Sequence, residues 1–121
     1  MAFLAFMEET MPRGEFLGEF EQMILLAVAR LGPCAYGITI MEEIRERTGH
    51  EPAVASVYAA LDRLERQGLV ASNVGAPTPE RGGRAKRFFS LEWAGKDALD
   101  RSRAALASMW EGVRLDRDGV R

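Results

Sequence analysis

The sequence has little of what disulfide and zinc chemistry require, because its 121 residues include one cysteine, Cys34, and one histidine, His50. A lone cysteine cannot form a disulfide within the chain and is typical of a reducing compartment, so we expect a cytoplasmic protein. One cysteine and one histidine also fall short of the ligands of a structural zinc site. We therefore expect no metal site, and we expect Cys34 to be a small buried apolar residue rather than a reactive thiol.

Long apolar runs and catalytic motifs are absent as well. No apolar stretch approaches the roughly 20 residues that span a bilayer, so we expect no membrane partner. The opening segment lacks the basic start and the cleavage pattern of a secretory signal. The sequence contains neither a Gly-x-Ser-x-Gly nucleophile motif nor a glycine motif that binds phosphate or dinucleotides. These absences predict a protein that is not an enzyme and uses no cofactor.

Positive charge is scarce in the first part of the chain and concentrated in the next. The formal net charge is -2. Residues 1–52 contain nine acids and four bases, whereas residues 53–87 contain six bases and three acids, and four of those bases lie in RGGRAKRFF at 81–89. A local basic patch on an acidic chain indicates that one face contacts a polyanion, although a solvated surface hairpin has the same composition.

Apolar periodicity predicts four helices and a hairpin. The predicted elements, in chain order, are helices over 16–31, 35–48 and 54–67, strands over 69–74 and 85–91, and a helix over 92–113. Gly49 and Gly68 follow the second and third helices, where a left-handed residue commonly ends a helix. The short link between these two helices indicates a helix-turn-helix. With the hairpin, this order predicts a mainly α fold with a small β-hairpin, a winged helix-turn-helix followed by a C-terminal dimerisation helix.

Three segments carry a resemblance to a known family: YGITIMEEI at 36–44, SVYAALDRLERQGLV at 56–70 and GGRAKRFFSLEWAGKDAL at 82–99. Together they resemble the PadR family of bacterial transcriptional regulators. The resemblance implies a homodimer that represses transcription by binding double-stranded DNA at a palindromic operator. The chain departs from the family pattern at Ala59, where many members have proline, and at Glu92 and Trp93, where many have threonine.

The resemblance also suggests how the chain is divided. We expect a flexible N-terminal arm, a winged helix-turn-helix DNA-binding domain, a dimerisation helix and a frayed tail. Their predicted ranges are 1–14, 15–91, 92–113 and 114–121. Gly82 and Gly83 would let the tip of the wing turn sharply and approach a phosphate closely.

Seven residues are the candidates for DNA contact: Tyr36, Ser56, Tyr58, Arg63, Arg84, Lys86 and Arg87. Residues of the third helix would meet base edges and phosphates in the major groove, and the wing cations would meet phosphates or the minor groove. Each candidate has an alternative role. The two tyrosines could pack between the helices. Arg63 could pair with Asp62 or Glu65, and one wing cation could pair with an acid of its own subunit.

The last helix carries a seam with the alternating three- and four-residue spacing of a coiled coil. The candidate dimerisation residues are Phe20, Leu99, Leu106, Met109 and Val113. In some relatives a tryptophan of this helix stacks on flat ligands, so Leu106 and Trp110 are candidates for a pocket that binds a small aromatic effector. Ordinary packing is the commoner role of such a tryptophan. The alternative function is a winged-helix protein-interaction module without DNA binding, which would have no reason to keep three wing cations.

Overall fold

The structure, a computed structural model, describes residues 16–75 and 85–116. In chain order its elements are α1 (Glu19–Leu31), a short 3-10 helix (Gly32–Cys34), α2 (Gly37–Thr48), α3 (Val54–Arg66), β1 (Val70–Val74), β2 (Arg87–Leu91) and α4 (Trp93–Trp110). The predicted order of helices and strands is confirmed, and each boundary lies within three residues of its predicted position. The predicted arm over 1–14, the wing-tip residues Gly82, Gly83 and Arg84, and the last part of the predicted tail lie outside the described residues.

Helices α1, α2 and α3 enclose the apolar core together with the hairpin. Helix α1 is apolar over most of its circumference, and it contributes both Leu25 and Val28 to the interior. The largest fully buried side chains are Ile24, Leu25, Ile40, Leu61, Leu64, Val28, Val57 and Val70. Since α3 buries Val57, Leu61 and Leu64 on one face, its opposite face is held rigidly toward solvent.

Two glycines end the helices of the helix-turn-helix, as predicted. Gly49 follows α2 with a φ of 77°, and its N–H donates to the carbonyl of Arg45 at 2.9 Å. Gly68 follows α3 with the same φ, after which the N–H of Leu69 donates to the carbonyl of Leu64 at 2.9 Å. A side chain at a positive φ is strained, so glycine at these positions lets the chain reverse within a few residues.

The hairpin is the wing of a winged helix. Strands β1 and β2 pair antiparallel, with Val70 opposite Leu91 and Val74 opposite Arg87. Consecutive residues of β2 face opposite sides, so Phe89 is buried while Phe88 packs on the outer surface. The segment before α2 lengthens this sheet, because the N–H of Phe89 donates to the carbonyl of Ala35 at 2.8 Å. That bond fixes the start of α2 against the wing.

The residues that helix α4 buries against the winged helix are Gly95, Ala98 and Ser102, all within its first ten residues. Gly95 is buried so closely that a Cβ atom there would lie 2.3 Å from the carbonyl oxygen of Leu69. Further along, the buried hydroxyl of Ser102 accepts a hydrogen bond from the N–H of Leu17 at 2.9 Å. The helix ends at Trp110, three residues before the predicted end at Val113.

Two findings concern the remaining expectations for the chain. Cys34 is exposed, so its predicted burial is wrong. It lies in the 3-10 helix, where Gly32 and Pro33 turn the chain between α1 and α2 and bring Cys34 to the surface. Among residues 16–75 and 85–116, no helix is both long enough and apolar enough to cross a membrane.

Candidate nucleic-acid interface

The exposed face of α3 has two flanks that differ in their neighbours. Tyr58 and Glu65, seven residues apart, lie on the flank beside the wing, whereas Ser56 and Arg63 share the opposite flank. Ser56 is exposed in the first turn, and its hydroxyl forms none of the protein hydrogen bonds found in the described ranges. An exposed first turn is the part of a recognition helix that reaches base edges when the helix enters a major groove.

A cluster of Tyr36, Lys86 and Phe88 joins the wing to the start of α2. Tyr36 directly precedes α2, and its ring packs edge-on against Phe88 with centroids 5.5 Å apart. Lys86 Nζ lies 4.6 Å from the centre of the Tyr36 ring and 3.4 Å from its hydroxyl. Lys86 itself is exposed. The aromatic ring and hydroxyl hold the ammonium group at this place through cation–π attraction and a hydrogen bond. Within residues 16–75 and 85–116, no carboxylate forms an ion pair with Lys86.

Tyr58 reaches the same end of α2 from α3. Its ring lies against the backbone of Gly37, the first residue of α2. Somewhat more than a third of Tyr58 remains exposed. The structure therefore brings three of the predicted DNA-binding residues, Tyr36, Tyr58 and Lys86, to the N-terminal end of one helix. The helix dipole makes that end favourable for an anion.

Arg87 has a different environment from Lys86, although the two are adjacent in sequence. Its Nη1 is 3.0 Å from Asp62 Oδ1, its Nη2 contacts Glu65 Oε1, and its Nε donates to Ser72 Oγ at 3.1 Å. The guanidinium also lies over the ring of Phe89, 4.9 Å from its centre. Arg87 thus pairs with acids of its own subunit, which was the alternative left open for one wing cation. A phosphate contact by Arg87 stays a prediction and would compete with these bonds.

The contacts around Arg87 shift the pKa of Arg87 itself and that of Glu65. The hydrogen bond with Asp62, and after it the bond with Glu65, raises the pKa of the Arg87 guanidinium, while partial burial opposes the rise. The Ser72 hydroxyl donates to Glu65 Oε2 at 2.6 Å and is the main cause that lowers the pKa of Glu65, with Arg87 adding to the effect. One guanidinium thus pairs with both acids of α3 and offsets one of their two negative charges.

Arg63 lies away from the wing. The nearest carboxylate is that of Glu21 in α1, with Arg63 Nε 3.9 Å from Glu21 Oε2. The alternative in which Arg63 pairs with Asp62 or Glu65 is wrong, because Arg87 holds both carboxylates. A separation of 3.9 Å between exposed groups contributes little to stability, so Arg63 can still turn toward DNA.

Sequence reasoning missed two features of this interface. It treated Asp62 and Glu65 as surface neighbours of Arg63, and it gave Gly37 no role beyond the Tyr-Gly motif. A signal for the first existed, since Asp62 and Glu65 are three residues apart on the α3 face that adjoins the wing. The contact of Tyr58 with Gly37 joins residues 21 positions apart and depends on how α2 and α3 cross. No local pattern could have shown it.

The predicted dimerisation residues fall into two groups. Phe20 and Leu99 are partly buried against the core of their own subunit, and Phe20 also packs edge-on against His50 at 6.5 Å. Leu106, Met109 and Val113 are exposed. We use the name α4 end for the exposed apolar set formed by Leu106, Met109, Trp110, Val113 and Leu115.

Side-chain groups that could hold a metal ion do not occur among residues 16–75 and 85–116. Near the α4 end, Met109, Trp110, Val113 and Leu115 line a shallow hollow of about 160 Å³. Ligand pockets typically measure roughly 300–1,000 Å³. In a single subunit this hollow is too small for the predicted aromatic effector.

Comparisons with known proteins identify the fold and the family. The model of the transcriptional regulator PadR-like family matches residues 25–101, which include α2, α3 and the wing. A PadR family transcription regulator from Clostridium difficile R20291 is 26% identical, with a TM-score of 0.63 over 78% of this chain and 93% of that chain. No curated protein matches the chain.

Two further solved structures share the fold. A PadR family transcriptional regulator from Eggerthella lenta is 20% identical, with a TM-score of 0.60 over 93% of this chain and 92% of that one. RosR from H. salinarum is 24% identical, with a TM-score of 0.60 over 81% of each chain. The matched family consists of regulators and not of enzymes, as the sequence predicted. Since the family model covers well over half of the chain, the protein belongs to the PadR-like family of transcriptional regulators.

Proposed function

We propose that the protein is a homodimer that binds double-stranded DNA at a palindromic operator and represses transcription there. The observation that carries this proposal is the cluster of Tyr36, Tyr58 and Lys86 at the N-terminal end of α2, beside the exposed first turn of α3. A hydroxyl pair, an ammonium group and a helix N-terminus form a site suited to phosphate. The adjacent helix supplies a surface for base edges.

The candidate residues divide into three roles in this proposal. Tyr36, Tyr58 and Lys86 contact phosphates and set the position of the subunit on the duplex. Ser56, in the exposed first turn of α3, contacts a base edge and contributes to sequence preference. Arg63 and Arg84 are proposed to contact phosphates as well.

Besides its proposed phosphate contact, Arg87 serves the interface by pairing with two acids of α3. Two carboxylates of α3, Asp62 and Glu65, stand on the flank beside the wing and would repel a phosphate backbone. Arg87 offsets part of their charge and holds β2 against α3 at the same time. The wing and the recognition helix then approach DNA as one rigid surface.

The homodimer is supported by the α4 end. Met109 is 74% exposed and Trp110 is 59% exposed, which is unusual for large apolar side chains near one another on a helix. A second copy can cover this surface by a two-fold axis that places two α4 ends together. The same axis would place one α3 helix at each half of a palindromic site.

A small aromatic effector would bind between two subunits in this proposal. The hollow at Trp110 measures about 160 Å³ in one subunit, so it reaches the size of a ligand pocket only if a second copy supplies another wall. Leu106, one turn before Trp110 on α4, would then line the same space. Release of DNA on effector binding would follow if the ligand changes the angle between the two subunits.

The DNA-binding proposal is tested by fluorescence anisotropy on the duplex that lies upstream of the coding region and on a scrambled duplex. Affinity should fall steeply with salt on both, and the slope should flatten by about 0.9 per phosphate contact removed in Lys86→Ala. Ser56→Ala should instead reduce the preference for the upstream duplex without changing the slope. If neither duplex is bound with a salt-dependent affinity, the DNA-binding proposal is wrong and the interaction module replaces it.

A further inference from the structure

Gly37 begins α2, and Tyr58 of α3 occupies the space that a side chain at residue 37 would need. A Cβ atom added to Gly37 would lie 2.3 Å from Tyr58 Cζ and 2.4 Å from the Tyr58 hydroxyl oxygen. Both distances are far shorter than a van der Waals contact between heavy atoms. Gly37 is buried, while 37% of Tyr58 is exposed. The missing side chain therefore decides where the phenol ring of Tyr58 lies.

Neither the backbone nor the helix explains a glycine at this position. The positive φ angles of the described residues occur at other glycines, so the backbone of residue 37 is open to any amino acid. Glycine is also among the poorest helix formers, less favourable than alanine by about 1 kcal/mol within a helix. The three atoms nearest to a Cβ atom added at Gly37 all belong to Tyr58, so the close approach of Tyr58 requires Gly37 to lack one.

The position that Gly37 gives to Tyr58 matters because of what stands beside it. The preceding residue, Tyr36, holds Lys86 Nζ at 4.6 Å from its ring centre. Helix α2 is 12 residues long, and its N-terminal end carries a partial positive charge. A Tyr58 hydroxyl lying against Gly37 therefore lies at a cationic site and can donate a hydrogen bond to an anion there.

We propose that Gly37 is a positioning residue for DNA binding, because it lets the Tyr58 hydroxyl reach the phosphate that Lys86 and the start of α2 attract. The proposal rests on the proposed DNA-binding function and refines one contact of it. Replacement of Gly37 by a larger residue pushes the end of the tyrosine ring away from α2. Since 37% of Tyr58 is exposed, the ring has room to turn toward solvent while the fold is retained.

The test measures the affinity of the full-length Gly37→Ala protein for a fluorescein-labelled duplex. A mixed-sequence duplex of about 30 base pairs is sufficient, because phosphate contacts do not depend on sequence. Loss of a hydrogen bond to a charged group should lower the affinity about tenfold for each subunit, and so about a hundredfold for the proposed dimer. The salt slope should not change, because a neutral hydroxyl displaces no counterion. The melting temperature should stay within a few degrees of the wild type, since alanine favours the helix.

Gly18→Ala is the matched control. Gly18 precedes α1, and a Cβ atom there would lie 3.5 Å from Glu21 Oε1, an ordinary contact. This variant adds the same methyl group at the start of another helix and should bind DNA like the wild type. Tyr58→Phe, which removes only the hydroxyl, should lose about as much affinity as Gly37→Ala.

A double-mutant cycle shows whether Gly37 acts through Tyr58. In a Tyr58→Ala background, Gly37→Ala should change the affinity by less than about twofold, because the ring that it displaces is gone. Full affinity in a folded Gly37→Ala or in Tyr58→Phe would overturn the proposal. Additive losses in the double variant would also overturn it. Each of these outcomes leaves the proposed function intact if the wild type binds the duplex. A wild type that does not bind refutes the proposed function itself.

Discussion

The winged helix and the α4 end place apolar side chains in opposite environments. In the winged helix, Leu61 and Ile24 have no exposed surface and Phe89 has 2%. At the α4 end, Met109 is 74% exposed and Leu115 is 63% exposed. Residues 16–75 and 85–116 therefore complete one apolar core by themselves and leave a second apolar surface exposed. The difference fits the proposed function, in which each subunit carries its own DNA-binding surface and a second copy covers the α4 end.

The largest effect is expected from a cavity in the winged helix. Leu61→Ala removes a fully buried side chain, and such changes cost about 2–5 kcal/mol in the free energy of unfolding. Urea unfolding followed by circular dichroism should show the loss. The loss should be equal at low and high protein concentration, because Leu61 belongs to one subunit. A loss that grows on dilution would mean that the core of the winged helix depends on the partner.

The next effect is expected at the α4 end. Leu106→Asp places a carboxylate in the proposed two-fold contact, where an unpaired charge costs several kcal/mol. The dimer dissociation constant should rise by more than about a hundredfold, which corresponds to roughly 3 kcal/mol. Sedimentation equilibrium should then give 13.4 kDa where the wild type gives twice that mass.

Ala104→Asp is the control for Leu106→Asp. Ala104 is exposed on α4 and precedes Met109 by five residues. Their side chains therefore point about 140° apart around the helix axis. The Ala104→Asp variant introduces the same charge on the other side of α4 and should leave the dimer intact. A wild-type protein that sediments as a monomer at micromolar concentration, or a Leu106→Asp variant that stays dimeric, would contradict the comparison between the two surfaces.

Periodicity predicted the elements because each helix and strand follows a local rule. The apolar spacing of α3, with Val57, Leu61 and Leu64 inward, and the glycine after it identify that helix without any tertiary information. The burial of Cys34 was predicted wrongly because apolar neighbours in sequence suggested an interior that the turn of the 3-10 helix does not provide. A short connecting segment has no period from which burial can be read.

The composition of the interface was predicted better than its contacts. Charge and glycine content located the wing with Lys86, and the resemblance pointed to Tyr36 and Tyr58. The structure brings these three residues to one end of α2. The separate roles of Lys86 and Arg87 could not be predicted. Adjacent strand residues face opposite sides, and what each side meets depends on how α3 packs against β2.

A smaller effect is expected from the two neighbouring wing cations. Arg87 forms ion pairs within its own subunit, whereas Lys86 is proposed to contact DNA. Arg87→Ala removes bonds to Asp62 and Glu65 and should lower the stability by about 1 kcal/mol, because these groups are partly exposed and screened. Lys86→Ala should leave the melting temperature unchanged and flatten the salt slope of DNA binding by about 0.9 per contact. Equal effects of the two variants on stability would show that they do not differ in role.

The smallest effect concerns the pH dependence of the bond between the wing and α3. The Ser72 hydroxyl, followed by Arg87, lowers the pKa of Glu65 below its ordinary value of 4.5. A carboxyl group with a lowered pKa in the folded state stabilises the protein above its unfolded-state pKa, and this contribution is lost as the pH falls through the folded-state pKa. The wild type should therefore be more stable than Glu65→Gln at pH 7, and the difference should shrink below about pH 4.5. The stability difference is measured from the urea midpoints of the two proteins at each pH, at one protein concentration. Glu46→Gln is the matched control, because it changes an exposed carboxylate outside the ion pairs found among residues 16–75 and 85–116. If the difference for Glu65→Gln stays constant down to pH 3, Glu65 does not hold the wing through its charge.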